Sequence, residues 1–254
     1  MSIAIRVERR LGEDVPLLGT PMFETGQCVS GSASAASLWS ELRGGSKVVT
    51  DFDYRDGYCH VTFETRVPGE RPSKQCFDAL EAAFLGHPLK HFADECQASV
   101  STVSVMIRDA LRAMGLSDGG VASAPMLFAM AAHAHRGVVA LPLLARLSVL
   151  GRELVSARRP DDCLVARLPP AEGQVASMRL EGLSGEAIGI RRGTSARTVA
   201  NQLNAIFRRF NVSGRAELLS FAIRTSASEW QRELEDRAPS SSRRALGSEL
   251  SLGN

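Results

Sequence analysis

The sequence has no long, uninterrupted apolar run, so no membrane span is expected. It is also poor in cysteine. Cys28, Cys59, Cys76, Cys96 and Cys163 are odd in number, widely spread and without a C-x-x-C pair. That argues against a disulfide framework and for a reduced, cytoplasmic setting. The opening MSIAIRVERR carries charges where the apolar run of a signal peptide belongs, so no leader is expected. No Gly-x-Ser-x-Gly elbow, phosphate-loop spacing or acid/base constellation occurs, so neither an enzyme nor a cofactor is expected. His133 and His135 are two apart, which on a helix turns the rings to different faces, with no further ligand nearby. They are read as surface residues, as are His87 and His91, and no metal site is expected. The N-terminal region shows neither a phosphoacceptor pattern nor the length for a separate small-molecule pocket.

Net charge is also nearly absent, at +2 for the whole chain. It is not evenly spread. Residues 167–224 hold nine arginines and four glutamates, a local +5 of the kind that phosphate contact requires. The punctuation of this stretch predicts four short helices. Pro170 suits a first helical position, with Glu172 in the first turn and Gly182 just past the end. Ser184 caps a second helix closed by Gly193, Ser195 caps a third, and Ser213 a fourth. On the third helix, Val199, Leu203, Ile206, Phe207 and Phe210 share one face. Arg197, Ala200, Asn201, Asn204 and Arg208 share the other. Two short helices around a glycine turn, the second presenting Arg and Asn, make a helix-turn-helix reader of the major groove.

GLSGEAIGIRRGTSARTVANQLNAIFRRFNVSGRAEL resembles the C-terminal DNA-binding domain of LuxR-type transcriptional regulators of bacteria. The matches are Gly-Leu-Ser before the second helix, Gly-Thr-Ser-Ala-Arg-Thr-Val entering the third, Ile-Phe-Arg-Arg-Phe leaving it, and the closing Val-Ser-Gly-Arg-Ala-Glu-Leu. The resemblance covers about a quarter of the chain and implies double-stranded DNA as partner. It places DNA contacts at Ser184, Thr194, Ser195, Arg197, Thr198, Ala200, Asn201, Gln202, Asn204, Arg208 and Arg209. Departures are Pro169 for a capping Thr, Gly189 for Ala in the second helix, and Ala200 and Gln202 for a basic residue and a His.

Upstream, Ile3, Ile5 and Val7 alternate with polar neighbours as in a short strand, and Leu11–Ser37, with GQCVSGSASAAS, reads as a flexible connector. SLWSELRGG predicts a helix ending at Gly44. SKVVTDFDY and YCHVTFETRV flank Asp56-Gly57 as a β-hairpin. Residues 71–116 then align with the C-terminal domain at one offset of 96, placing Gly86 on Gly182, Ser99 on Ser195, Ile107 on Leu203 and Leu111 on Phe207. Ala145–Pro160 predicts a second hairpin, with Gly151 equivalent to Gly57 at an offset of 94. PMLFAMAAHAH occupies the place of the fourth helix in the first copy.

The fold expected is mainly α with small β elements, a tandem repeat of a hairpin followed by a four-helix LuxR-type unit. The segments are residues 1–37, 38–135, 136–225 and a tail, 226–254, disordered or partly helical. The first copy is neutral, and Gln97 replaces the turn glycine. Its outward residues Ser101, Thr102, Ser104, Val105, Arg108 and Arg112 suit either DNA or protein. The function expected is sequence-specific DNA binding in transcription. The alternative is a module docking on RNA polymerase or a sigma factor. Leu218, Leu219, Phe221 and Ala222, with Met126, Leu127, Phe128 and Met130, suggest pairing of fourth helices, as a homodimer or a pseudo-dimer within one chain.

Overall fold

The computed structural model describes residues 31–66, 71–116, 120–138, 143–149 and 151–237; the strand expected in residues 1–10 lies outside them. Helix α1, Gly31–Arg43, precedes a hairpin of β1, Lys47–Arg55, and β2, Tyr58–Thr65. The hairpin turns on Asp56 (φ 52°) and Gly57 (φ 78°), two left-handed residues in succession, as a two-residue loop of this hand requires. Three helices follow: α2, Lys74–Phe84, α3, Leu89–Glu95, and α4, Val100–Ala113. A 3-10 turn at Val121–Ser123 leads into α5, Met126–His135. The second hairpin is β3, Leu143–Val149, and β4, Arg152–Arg158. After the single turn α6, Asp162–Val165, come α7, Pro170–Leu180, α8, Gly185–Arg192, α9, Ala196–Phe210, and α10, Arg215–Arg237.

The chain is mainly helical, and both expected hairpins are present. Helices α2, α3 and α4 begin 96 residues before α7, α8 and α9. The hairpins do not stay apart. They join edge to edge in one antiparallel sheet of order β1-β2-β4-β3, with β2 against β4. Tyr58 faces Arg158, Val61 faces Val155 and Glu64 faces Arg152 across the joint. Alternation sends Cys59, Val61, Phe63, Val155 and Ala157 to one buried side. Helix α5 covers it, stacking Phe128 on Phe63 at 6.3 Å and meeting Phe84 edge-on at 6.4 Å. Trp39 of α1 continues the aromatic run, 5.8 Å from Phe84.

Four expectations are corrected. The connector is helical from Gly31 onward, because Ala35, Leu38, Trp39 and Leu42 form a buried stripe. The C-terminal helix runs past the expected boundary at residue 225 to Arg237, since Ala227 and Trp230 are buried and Ser226 donates to the Pro160 carbonyl at 2.7 Å. The proposed pairing face of the fourth helices is interior. Leu218, Leu219, Ala222, Met126, Leu127, Phe128 and Met130 are buried within this one chain, and Phe221 is half-buried against Phe210 of α9 at 5.1 Å. Within the chain α5 lies mainly along α1, and α10 touches α5 only in passing.

The fourth correction concerns His133. It is buried rather than at the surface, and neither ring nitrogen has a hydrogen-bond partner. Burial, reinforced by the Arg224 charge, pushes its pKa down to about 4. His135 instead joins Arg43 and Arg136 around the buried Glu81 carboxylate, at 2.8, 3.1 and 2.9 Å respectively. His87 and His91 are exposed, as expected.

Candidate nucleic-acid interface

Ser184 sits in extended conformation and accepts the Ala187 amide at 3.1 Å, satisfying one of the free N–H groups that open α8. Ser195 does the same for α9, accepting Thr198 N–H at 3.0 Å. Between the helices Gly193 adopts φ 64°, ψ 33°, and ends α8. Gly189 is explained here as well. A β-carbon on it would lie 2.9 Å from the Thr194 carbonyl oxygen, so a methyl group would push the turn off α8. Nothing in its sequence neighbourhood signals that approach. Ser213 does not cap α10 as expected. Its amide and hydroxyl both donate to the Glu217 carboxylate, at 2.8 and 2.5 Å.

Helix α9 is held by Val199 and Ile206, both fully buried, with Leu203, Phe207 and Phe210 half-buried beside them. Its other side is open. Arg197, Ala200, Asn201, Asn204, Arg208 and Arg209 are exposed, and Thr194 with Ser195 is exposed at its start. Asn201, Asn204 and Arg208 line one shallow groove with Asn211 and Ser213. The structure therefore brings most of the expected contact residues to a single face. Three behave differently. Gln202 is half-buried and accepts Arg192 Nη1 at 2.9 Å, tying α8 to α9. The Thr198 hydroxyl is engaged with Ser195 Oγ at 2.9 Å, inside the cap. Arg209 reaches back toward the Arg167 carbonyl at 3.5 Å.

Not all the local positive charge is at the surface. Arg215 is buried and donates to the carbonyls of Arg179 (3.1 Å), Leu180 (2.7 Å) and Ala124 (3.2 Å), and also to that of Val121. Burial pushes its pKa down to about 10. It thereby bolts the end of α7 to the segment before α5. Sequence reading missed this role, because an arginine two residues after a serine cap looks like any first-turn residue. Arg179 is directed to the Leu183 carbonyl at 3.0 Å. On α9 itself Arg197, Arg208 and Arg209 are exposed cations, and Arg191 on α8 is exposed as well.

Helix α4 presents a different face. Ser99 accepts Thr102 N–H at 3.0 Å, and its hydroxyl meets Ser101 at 2.6 Å and Thr102 at 2.8 Å. Ser104 donates to the Val100 carbonyl at 2.9 Å, so these four hydroxyls are spent within the helix start. Val105, 47% exposed, and Arg108 are open, while Arg112 pairs with Asp109 at 3.6 Å. Gln97, at the position of Gly193, adopts φ 51° without a glycine's freedom.

Comparison with known proteins returns nothing. No protein-family model, curated protein or solved structure matches this chain. Among the described residues no group of His, Cys, Asp and Glu gathers as metal ligands, and no helix is long and apolar enough to cross a membrane.

Proposed function

We propose that the chain is a sequence-specific DNA-binding transcriptional regulator that reads the major groove with α9. The observation that carries this is a capped helix pair around a left-handed glycine, with Asn201, Asn204 and Arg208 exposed together on the second helix. The reading takes the chain as two copies of one unit, hairpin then helix-turn-helix of LuxR type, the second copy being the principal reader. Asn201 and Asn204 meet base edges, where Asn suits adenine. Arg197 and Arg208 hold phosphates.

The test is selection of bound duplexes by the purified chain, followed by titration at two salt concentrations. Arg208→Ala is expected to weaken all sequences alike and to flatten the salt slope by about 0.9. Asn201→Ala is expected to leave the slope unchanged and to relax preference at one base pair, by about 1–3 kcal/mol. Unchanged binding in both variants would remove this face from the interface.

A second reading has one observation in its favour. Ile190, on α8, is 84% exposed, the most exposed large apolar side chain described. A module docking on RNA polymerase or a sigma factor would use such a residue. Ile190→Ser then abolishes the complex, with little dependence on salt, while DNA binding persists.

A further inference from the structure

Resting on the DNA-reading proposal, we infer that one chain is a covalent pseudo-dimer that occupies an inverted DNA site with two unlike halves, α9 reading one and α4 the other. The argument begins at the sheet joint. Residues Tyr58–Glu64 of β2 each have an equivalent 94 positions later in β4, and only one facing pair consists of equivalents, Val61 with Val155. Tyr58 faces Arg158, the equivalent of Glu64, and Glu64 faces Arg152, the equivalent of Tyr58. An antiparallel pair of equivalent strands has a twofold axis normal to the sheet, here through Val61 and Val155. That axis keeps each face of the sheet on its own side, so α4 and α9 come to symmetry-related places.

One further pair of contacts obeys the same axis. Gly86 and Gly182, equivalent at an offset of 96, each lie against the other half: a β-carbon on Gly86 would sit 3.1 Å from the Ser220 side chain, and one on Gly182 would sit 2.6 Å from the Ala122 carbonyl. This is the isologous logic of a homodimer, carried out by one polypeptide.

Two reading helices around a dyad require a site with matching inverted halves. The two faces here are not alike. The α9 face offers Asn201, Asn204 and Arg208, whereas α4 offers Val105 and Arg108, with the Ser104 hydroxyl already bonded. Asn pairs with adenine, valine with the thymine methyl group and arginine with guanine. The site is therefore inverted in geometry but different in sequence on its two sides.

The experiment selects duplexes from a random pool with the full chain. It repeats the selection with Asn201→Ala and Arg108→Ala, both exposed positions, and weighs each complex by native mass spectrometry. The expected result is one chain per duplex and a motif of two unlike inverted halves, each variant losing about tenfold or more discrimination in one half only. A motif with a single half, indifferent to Arg108→Ala, overturns the inference while leaving DNA reading by α9 intact. So do two chains on two identical halves. Failure to enrich any duplex, even at low salt, overturns the DNA-reading proposal itself and this inference with it.

Discussion

Three turn positions turn backbone geometry into a graded series of stabilities. Gly193 adopts φ 64° with nothing within 4 Å of where a β-carbon would sit, so Gly193→Ala meets conformational strain alone. The left-handed region costs an ordinary residue about 1–2 kcal/mol. Stiffening the unfolded chain returns about 0.5–1 kcal/mol. The net loss expected is about 1 kcal/mol. Gln97, exposed and at φ 51°, is the same experiment in reverse, and Gln97→Gly is expected to stabilise by about 0.5–1 kcal/mol. Gly182 adds a clash. At φ 101°, its β-carbon would stand 2.6 Å from the Ala122 carbonyl oxygen, backbone that cannot swing aside. Overpacking of that kind adds about 1–3 kcal/mol, so Gly182→Ala is expected to lose about 2–4 kcal/mol in all. Urea unfolding followed by circular dichroism reads the series as midpoint shifts at constant slope. The expected order of midpoints is Gln97→Gly, wild type, Gly193→Ala, Gly182→Ala. Equal losses at Gly182 and Gly193 would refute the close contact between the halves, and a destabilised Gln97→Gly would refute the strain assigned to that turn.

Further outcomes follow from buried polar groups. His133, with its pKa lowered to about 4, is neutral when folded, so the unfolded chain binds the extra proton. Its contribution is complete above about pH 6.5 and is lost as pH falls toward 4, about 3 kcal/mol in all. Thermal midpoints measured across that range should fall less steeply in His133→Leu. Arg215→Met leaves several buried carbonyls without a donor and should cost at least about 3 kcal/mol by urea unfolding, whereas Arg197→Met, on the open face, should cost almost nothing. Ending the chain at Thr225 removes Trp230 and the Ser226 bond to Pro160 and should lower the thermal midpoint, although every residue of α9 remains.

Local signals were legible because they depend on neighbours in sequence. Ser184, Ser195, Gly193, Pro170 and Asp56-Gly57 act within a few residues, and each appears in its expected role. The joint between hairpins was not legible. β2 and β4 carry the same alternation whether they face solvent or each other, and nothing in either strand names its partner. Helix α10 was cut short for a similar reason. Ser226, Glu229 and Arg232 look like a soluble tail until Ala227 and Trp230 are seen to lie on the side that packs. The low polarity of α5 was visible, but it suggested a surface for another molecule, because the helix that covers it, α1, begins inside a stretch composed like a linker.

The sheet joint also bears on how such a molecule changes over generations. In an assembly of identical chains every substitution is written twice, once on each side of the dyad, so neither reading helix can be altered alone. On the pseudo-dimer proposed above, the two sides are separate stretches of one coding sequence. Gln97 stands in the left-handed turn before α4 where Gly193 stands in the turn before α9, and the local positive charge lies in residues 167–224 rather than 71–116. The joint through Val61 and Val155 holds the halves in register while each is free to drift.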